Sequence, residues 1–323
     1  MLVMNSLEPG GPEVLVPSDV DVPRPRSGEV LIDVAAAGVN NADLLQRAGL
    51  YPPPAGAPSW PGLEVSGVVA AAGPDSGWAP GDRVAALLDG GGYAQQAIAP
   101  AAQVLPVPDG MDLVDAAALP EGACTVWSTL AAAGLAPGQW LLVHGGSGGV
   151  GSLAVQVGAA LGAHVIATAG GPERAARCRG LGARVVVDHR AEDFVAAVAD
   201  ATDGRGVDVV LDVVGAAYLE RNLAALAVGG RLAVIGLQKG RRAELDLGAL
   251  LSRRLTVLGT TLRSRPAAEK AGIVAAVRSE VWPLVADGRV RPVVHARLPL
   301  TEAARAHRML AAGEVFGKLL LVP

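Results

Sequence analysis

Residues 144–151 read HGGSGGVG, directly behind the apolar run WLLV (140–143) and running on into VGSLAVQVGAALG (150–162). Gly146, Gly148 and Gly151 fit the pattern G-x-G-x-x-G, with Gly145 and Gly149 in its gaps. Its required context is present, a strand before and a helix after. The first glycines permit a tight turn and close backbone approach to a pyrophosphate, and Gly151 lets the helix pack near the strand. The helix N-terminus then turns its free N–H groups and the positive end of its dipole toward the anion. Taken alone, the same residues describe a tight turn with no ligand, so the surrounding chain must decide.

Downstream, HVIATAG (164–170), RVVVDH (184–189), GVDVVLDVVG (206–215), GRLAVIGL (230–237) and LTVLGTTL (255–262) are apolar, strand-like runs. Helix-like segments such as PERAARCRGLG (172–182) separate them. Six such strands alternating with helices predict an α/β fold, a doubly wound six-stranded parallel (Rossmann) sheet. From Gly122 to Pro172 there is no Asp, Glu, Lys or Arg. Glycine turns, Pro137, Gln139, His144, Gln156 and His164 break that stretch, so it reads as a strand–helix–strand unit buried on both sides rather than a membrane span.

Upstream, short apolar runs punctuated by Pro and Gly, such as EVLIDVAAAGV (29–39) and VSGVVAAAG (65–73), predict a β-rich, irregular domain. The tail changes character again. EKAGIVAAVRSEVWPLVADG (269–288) predicts a helix and RPVVHARLPL an edge strand. A helix over 301–313 would be capped by Thr301 and stopped by Gly313, and GKLLLVP would close the chain as a strand. This tail is too short to fold alone and is expected to return to the N-terminal domain. The resulting division is 1–120 with 263–323 for the β-rich domain and 121–262 for the dinucleotide-binding domain.

The chain has 323 residues, 51% of them hydrophobic and 18% charged, with a formal charge of −4. Nothing in that balance favours nucleic acid or an anionic membrane. The 24 Arg, against 3 Lys, are dispersed. Two cysteines, Cys124 and Cys178, can build neither a disulfide framework nor a four-cysteine zinc lobe, and no charged-then-apolar leader opens the sequence. A reducing, cytoplasmic setting is the natural expectation. The end of the second Rossmann strand, Thr168-Ala169-Gly170-Gly171, lacks the acid that would bind a ribose 2′-hydroxyl, and no acid occurs before Glu173. Arg174 and the pair His189-Arg190 lie nearby in the expected fold, which favours a 2′-phosphate and hence NADP(H). The alternative reading of Arg174 is a solvated helix residue.

The stretches GVNNADLLQRAGLYPPPAG (38–56), PGLEVSGVVAAAG (61–73), GDRVAAL (81–87), GGYAQQ (91–96), HGGSGGVG (144–151), GARVVVDHR (182–190) and GGRLAVIG (229–236) resemble the medium-chain dehydrogenase/reductase superfamily. They are most similar to its quinone oxidoreductase (zeta-crystallin-like) branch. Within that branch, LQRAGLYPPPAG and TLRSR (261–265) resemble the mammalian quinone oxidoreductase-like proteins induced in the cell-death response. The resemblance spans essentially the whole chain and implies that the β-rich domain is GroES-like. At the positions where zinc-dependent members of the superfamily carry a Cys and a His ligand, this chain has Asn40 and Leu63. Leu cannot ligate and Asn is a poor zinc ligand, so no metal site is expected.

The resemblance carries active-site roles onto Asn40 and Thr125, which would hold the nicotinamide or the acceptor oxygen, and onto Tyr51, which would stack on or hydrogen-bond the substrate. For the cofactor, it places Gly146, Ser147, Gly148, Gly149 and Val150 on the pyrophosphate, and Gly170, Arg174 and His189 on the adenosine phosphate side. Val234, Ile235, Gly236 and Leu237 with Thr260, Thr261 and Leu262 would face the ribose and nicotinamide, and Lys318 would reach the adenosine phosphates from the tail. The activity implied is NADPH-dependent, metal-free reduction of a quinone, which accepts hydride with little polarisation. An NADPH-dependent enoyl reductase acting on an enone, with Tyr51 as proton donor, and a non-catalytic NADPH-binding protein remain open. The sixth strand, LTVLGTT, would expose an apolar sheet edge unless paired, so a homodimer through that strand is expected.

Overall fold

A computed structural model describes all 323 residues, in two compact units. One comprises 1–124, 262–288 and 292–323; the other comprises 125–261 with 289–291. The division falls inside the helix Pro120–Ala132, between Cys124 and Thr125, a few residues beyond the 120/121 boundary read from composition.

The second unit is built on six parallel strands, Trp140–Val143, His164–Ala169, Val185–Asp188, Val207–Asp212, Leu226–Val234 and Thr256–Gly259. Counted along the chain they lie in the order third, second, first, fourth, fifth, sixth. The strand order reverses at the first strand, and the crevice at such a switch point, outside the strands' carboxyl ends, is where ligands bind in sheets of this class. Leu141, Leu142 and Val143 of the first strand are all inaccessible. Successive strand residues point to opposite faces, so this strand is covered on both. That accounts for the charge-free stretch: a charge on either face would be buried without a partner. Ile166, Val187, Phe194, Val210 and Leu232 join Leu142 in one apolar cluster. No helix of the chain is long and apolar enough to cross a membrane.

The first unit holds a two-stranded ribbon, Leu2–Ser6 with Leu15–Asp19, and a seven-stranded sheet centred on Glu29–Gly38 and Glu64–Ala72. The chain's last strand, Lys318–Val322, pairs antiparallel with Glu29–Gly38 (Leu320 opposite Gly38, Leu321 opposite Ala37) and parallel with the edge strand Val294–Pro299. Leu319 and Leu321 thereby enter the same apolar core as Val30, Ile32, Val69 and Val84. Burial of two leucines and a ladder of backbone hydrogen bonds fixes residue 318 against a strand end near residue 40.

The tail departs from expectation in two places. The helix read over 269–288 is two helices, Ala267–Glu280 and Trp282–Ala286. Pro283 has no N–H to give to the carbonyl four residues back, and its ring crowds that carbonyl, so the first helix ends before it. Thr301 is not an N-cap: it lies inside the short 3-10 turn Leu300–Glu302, and the following helix, Ala303–Ala311, starts from Glu302.

Candidate functional site

In the nucleotide unit, the glycine-rich loop joins the first strand to the helix Gly149–Ala160. The residue that makes the turn is Gly145, at φ +67°, a conformation that disfavours any side chain. The sequence pattern had placed Gly145 in a gap. A Cβ on Gly146 would lie 2.9 Å from the Ala167 methyl on the neighbouring strand. A Cβ on Gly151 would lie 2.7 Å from the Gly145 carbonyl carbon and closer still to its oxygen. Gly151 therefore admits the loop itself, rather than easing the helix against the strand. Gly148 is the N-cap and offers no side-chain acceptor to the first turn. Those N–H groups are left for an anion.

Beneath the loop sits a buried relay. His144 Nε2 faces Asn222 Oδ1 at 2.7 Å, so Nε2 carries the hydrogen and Nδ1 accepts from the Thr168 hydroxyl at 3.2 Å. Thr168 Oγ1 in turn accepts from the Gly145 N–H at 3.1 Å. Burial lowers the His144 pKa to about 4, so the ring stays neutral and the relay keeps one polarity. His144 lies between the rings of Phe194 and Tyr218, with centroids at 4.7 and 5.0 Å, and serves to hold the loop.

Because all six strands are parallel, their carboxyl ends share one edge. The Gly145–Gly148 turn, Gly170, His189, the Val234–Leu237 turn and Thr260 all lie along it. Val234–Leu237 approaches the turn after the fourth strand so closely that a Cβ on Gly236 would meet Val213 O at 2.8 Å. At the second strand's end, the space a Gly170 Cβ would enter is bounded by Arg190 Nε at 3.0 Å and His189 Nε2 at 3.2 Å. Asp188 fixes this corner by accepting from the N–H groups of Gly171 and Arg190. Those hydrogen bonds, led by the one from Gly171, hold its carboxyl below the usual range. Arg190, counted from the sequence among the nearby cations but not among the cofactor-binding residues, thus stands over Gly170. Arg174 and Ser147 lie on the same unit, in the helix Pro172–Gly180 and in the loop respectively, and Thr261 is its last residue before the chain crosses to Leu262 of the first unit.

In the first unit, Asn40 caps the helix Asn41–Arg47 and is 7% exposed. Its Nδ2 donates to Glu64 Oε1 at 2.9 Å and its Oδ1 accepts from the Lys318 ammonium. Lys318 also donates to Glu64 Oε1, while Glu64 Oε2 accepts from the Glu121 N–H at 3.0 Å. Glu64 is fully buried and the Lys318 side chain 4% exposed. Burial pushes the Lys318 pKa down, but the carboxylates of Glu64, Glu121 and Asp43 outweigh it and hold the ammonium above the usual lysine range. This corrects the role expected for Lys318. Its ammonium is enclosed within the β-rich unit and committed to Glu64 and Asn40, so it is not placed to bind adenosine phosphates.

Asp43, one turn along the same helix, accepts from the Asn40 N–H (2.8 Å), the Gly62 N–H (3.0 Å) and the Tyr93 hydroxyl (3.2 Å). Burial raises its pKa to about 7 against the opposing pull of the two backbone donors. Tyr93 continues to His307 Nε2 at 3.0 Å, and burial lowers the His307 pKa to about 3. These groups fix the Asn40 turn. The spacing N-x-x-D was legible as a cap signature that could have flagged Asp43.

Tyr51 is half-buried, and burial raises its hydroxyl pKa. Its ring lies 5.3 Å from the Arg263 guanidinium. Arg263, 6% exposed, donates to Asp89 O and Gln46 Oε1, both at 2.8 Å, and ties together the segment carrying Tyr51 and the turn after Arg83–Leu87. Thr125 opens the second unit on the helix Pro120–Ala132, its carbonyl accepting from the Ser128 and Thr129 hydroxyls.

The family model described as "Alcohol dehydrogenase GroES-like domain" matches residues 26–109, and that described as "Zinc-binding dehydrogenase" matches 149–277. A quinone oxidoreductase of Pseudomonas aeruginosa is 36% identical, over 97% of each chain. The human quinone oxidoreductase is 32% identical over 100% of this chain and 98% of its own. The crystal structure of Escherichia coli quinone oxidoreductase complexed with NADPH superposes with a TM-score of 0.89 at 30% identity, covering both chains completely. By sequence and by fold, this chain belongs to the quinone oxidoreductase family of medium-chain dehydrogenases/reductases.

Proposed function

We propose that the chain is an NADPH:quinone oxidoreductase that works without a metal. The observation that carries this reading is the Asn40–Glu64–Lys318 cluster. Its members are an amide, a carboxylate already paired and an ammonium, with Leu63 beside them, and no three His, Cys, Asp or Glu side chains assemble anywhere into a metal-holding group. That donor set does not fit a zinc ion, and a buried ammonium repels a second cation. What the cluster offers an acceptor oxygen is N–H. Hydrogen bonding of that strength suits an acceptor that takes hydride readily, which favours a quinone over a simple ketone or alcohol.

The nucleotide unit fits a phosphorylated dinucleotide: an uncapped helix start, a glycine cradle that a Cβ would fill, and Arg190 with His189 over Gly170. Bound NADPH supplies a hydride, and quinone plus that hydride plus one solvent proton gives the hydroquinone. The chain's own part is to grip the pyrophosphate on the amides of 147–151, to meet the 2′-phosphate with Arg190, Arg174 and His189, and to donate to the acceptor oxygen from Asn40. Tyr51 lines the acceptor's pocket, held there by Arg263.

A panel of ortho- and para-quinones and crotonyl-type enones, each with NADPH and NADH in parallel, tests the reading. Quinone-dependent loss of NADPH absorbance is expected, with NADPH favoured over NADH. No quinone turnover despite tight NADPH binding, or turnover of enones alone, would overturn it. Arg190→Ala is expected to weaken NADPH about tenfold or more while leaving NADH unchanged, because a charge-assisted bond to a phosphate contributes roughly 1.5–3 kcal/mol. An equal loss for both cofactors would instead assign Arg190 to the fold.

The reading includes a homodimer. Thr256–Gly259 is an edge strand with Val257 40% exposed, and Leu237, Leu247 and Leu251 are exposed at 55, 67 and 81% on the same unit. An open ladder beside exposed leucines suits pairing with its own copy. Light scattering is expected to give twice the 32.5 kDa chain mass, and Val257→Lys to give the monomer. A monomeric wild type would refute this part.

A further inference from the structure

We propose that Lys318, held by Glu64, is a positioning residue for the reaction: it locks the Asn40 amide so that its one unused N–H is presented to the acceptor oxygen. This rests on the quinone reductase reading and adds a residue and a role to it. An asparagine amide is nearly symmetric in shape, and in most sites either end can face a given neighbour. Here the orientation is determined. Lys318 can only donate, so it must face Oδ1; the Glu64 carboxylate accepts, so it must face Nδ2. One Nδ2 hydrogen goes to Glu64, and no group of the chain takes the other. Asn40 is also the most exposed member of the cluster, at 7%, against 4% for Lys318 and none for Glu64.

The ammonium has a second effect through the same contact. A cation on Oδ1 draws electron density from the amide and strengthens its N–H as a donor, the more so in a water-poor site. As hydride arrives, negative charge grows on the acceptor oxygen, and a preset donor needs no reorganisation to meet it. Glu64 is needed because an ammonium this deeply buried would otherwise shed its proton or pull the site apart. Its other oxygen, bound to the Glu121 N–H, ties the cluster to the start of the helix that carries Thr125.

The test uses the full chain with NADPH and one soluble para-quinone. Lys318→Met combined with Glu64→Gln removes both charges together and keeps the volumes near native, so the fold is preserved. This variant is expected to lower kcat at least tenfold, with the quinone KM and the NADPH Kd changed less than about threefold. Asn40→Ala alone is expected to lower kcat by a similar factor, and adding it to the double variant to lower kcat no further. A double variant with wild-type kcat, or an Asn40→Ala effect that multiplies in full onto it, would overturn the proposal. If the wild type turns over no quinone, the parent reading falls and this one with it. Wild-type turnover with unaffected variants sinks this one alone.

Discussion

Gly151→Val is expected to weaken NADPH binding by about 100-fold or more, measured by fluorescence or calorimetric titration. A Cβ at this position would sit 2.7 Å from the Gly145 carbonyl carbon and 3.0 Å from the Gly146 Cα, both backbone atoms that cannot rotate away. Either the loop or the helix start must move by about an ångström, a displacement that commonly costs on the order of 100-fold in a positioned site. The loop has little freedom to absorb it, because Gly145 is tethered through Thr168 to the buried His144. Gly148→Ala separates crowding within the loop from crowding of the ligand. Its Cβ would lie 3.4 Å from Gly145 O, an ordinary contact, and its φ of −80° suits any residue. The fold is therefore expected to keep its melting temperature, while NADPH affinity falls because Gly148 is the glycine at which the backbone approaches the pyrophosphate. A Gly151→Val protein that binds NADPH like the wild type would mean that close approach of residue 151 to the loop does not shape the phosphate site.

That contrast marks what the sequence could and could not resolve. The inner strands were legible because a strand covered on both faces is mostly apolar, and HVIATAG allows little else. The phosphate loop was legible because a strand, a glycine run and a helix are contiguous. The division of labour among five adjacent glycines was not: Gly145, not Gly146, takes the left-handed turn, and only the backbone path shows it. Lys318 was harder still. It meets Asn40 across 278 residues of chain, and its environment is created by the pairing of Lys318–Val322 with Glu29–Gly38. No local pattern announces a cation buried by a sheet register, so the tail lysine looked like a free phosphate ligand. Arg263 hid for the same reason: in TLRSR it resembles a solvated charge, yet its guanidinium is bound by Gln46 and Asp89, contributed by two separate segments. Asp43 had a local signature and could have been found.

The Lys318–Glu64 pair also governs stability, and the single variants are expected to separate its two halves. Lys318→Met leaves the Glu64 carboxylate with no exposure and only the neutral donors of Asn40 and Glu121, and it is expected to cost about 3–5 kcal/mol. Glu64→Gln leaves the ammonium buried without its principal partner, at a similar cost. The double variant Lys318→Met/Glu64→Gln is expected to recover most of the loss, since replacing both charges of a buried pair is often near neutral. The pH dependence tells the halves apart. In the wild type the neighbouring carboxylates hold Lys318 above the usual lysine range, so its contribution is fully present below that range and fades only as pH climbs beyond it. In Glu64→Gln burial dominates, the folded-state pKa falls below the unfolded one, and the unfolded chain binds more protons between the two. Stability of that variant should therefore rise with pH through the alkaline range, where the wild type's is flat or falling. Urea melts at pH 7 and pH 9 read the slope directly. A Glu64→Gln variant that loses stability with rising pH like the wild type would show that Lys318 draws its charge stabilisation from elsewhere, and that Glu64 is not its essential partner.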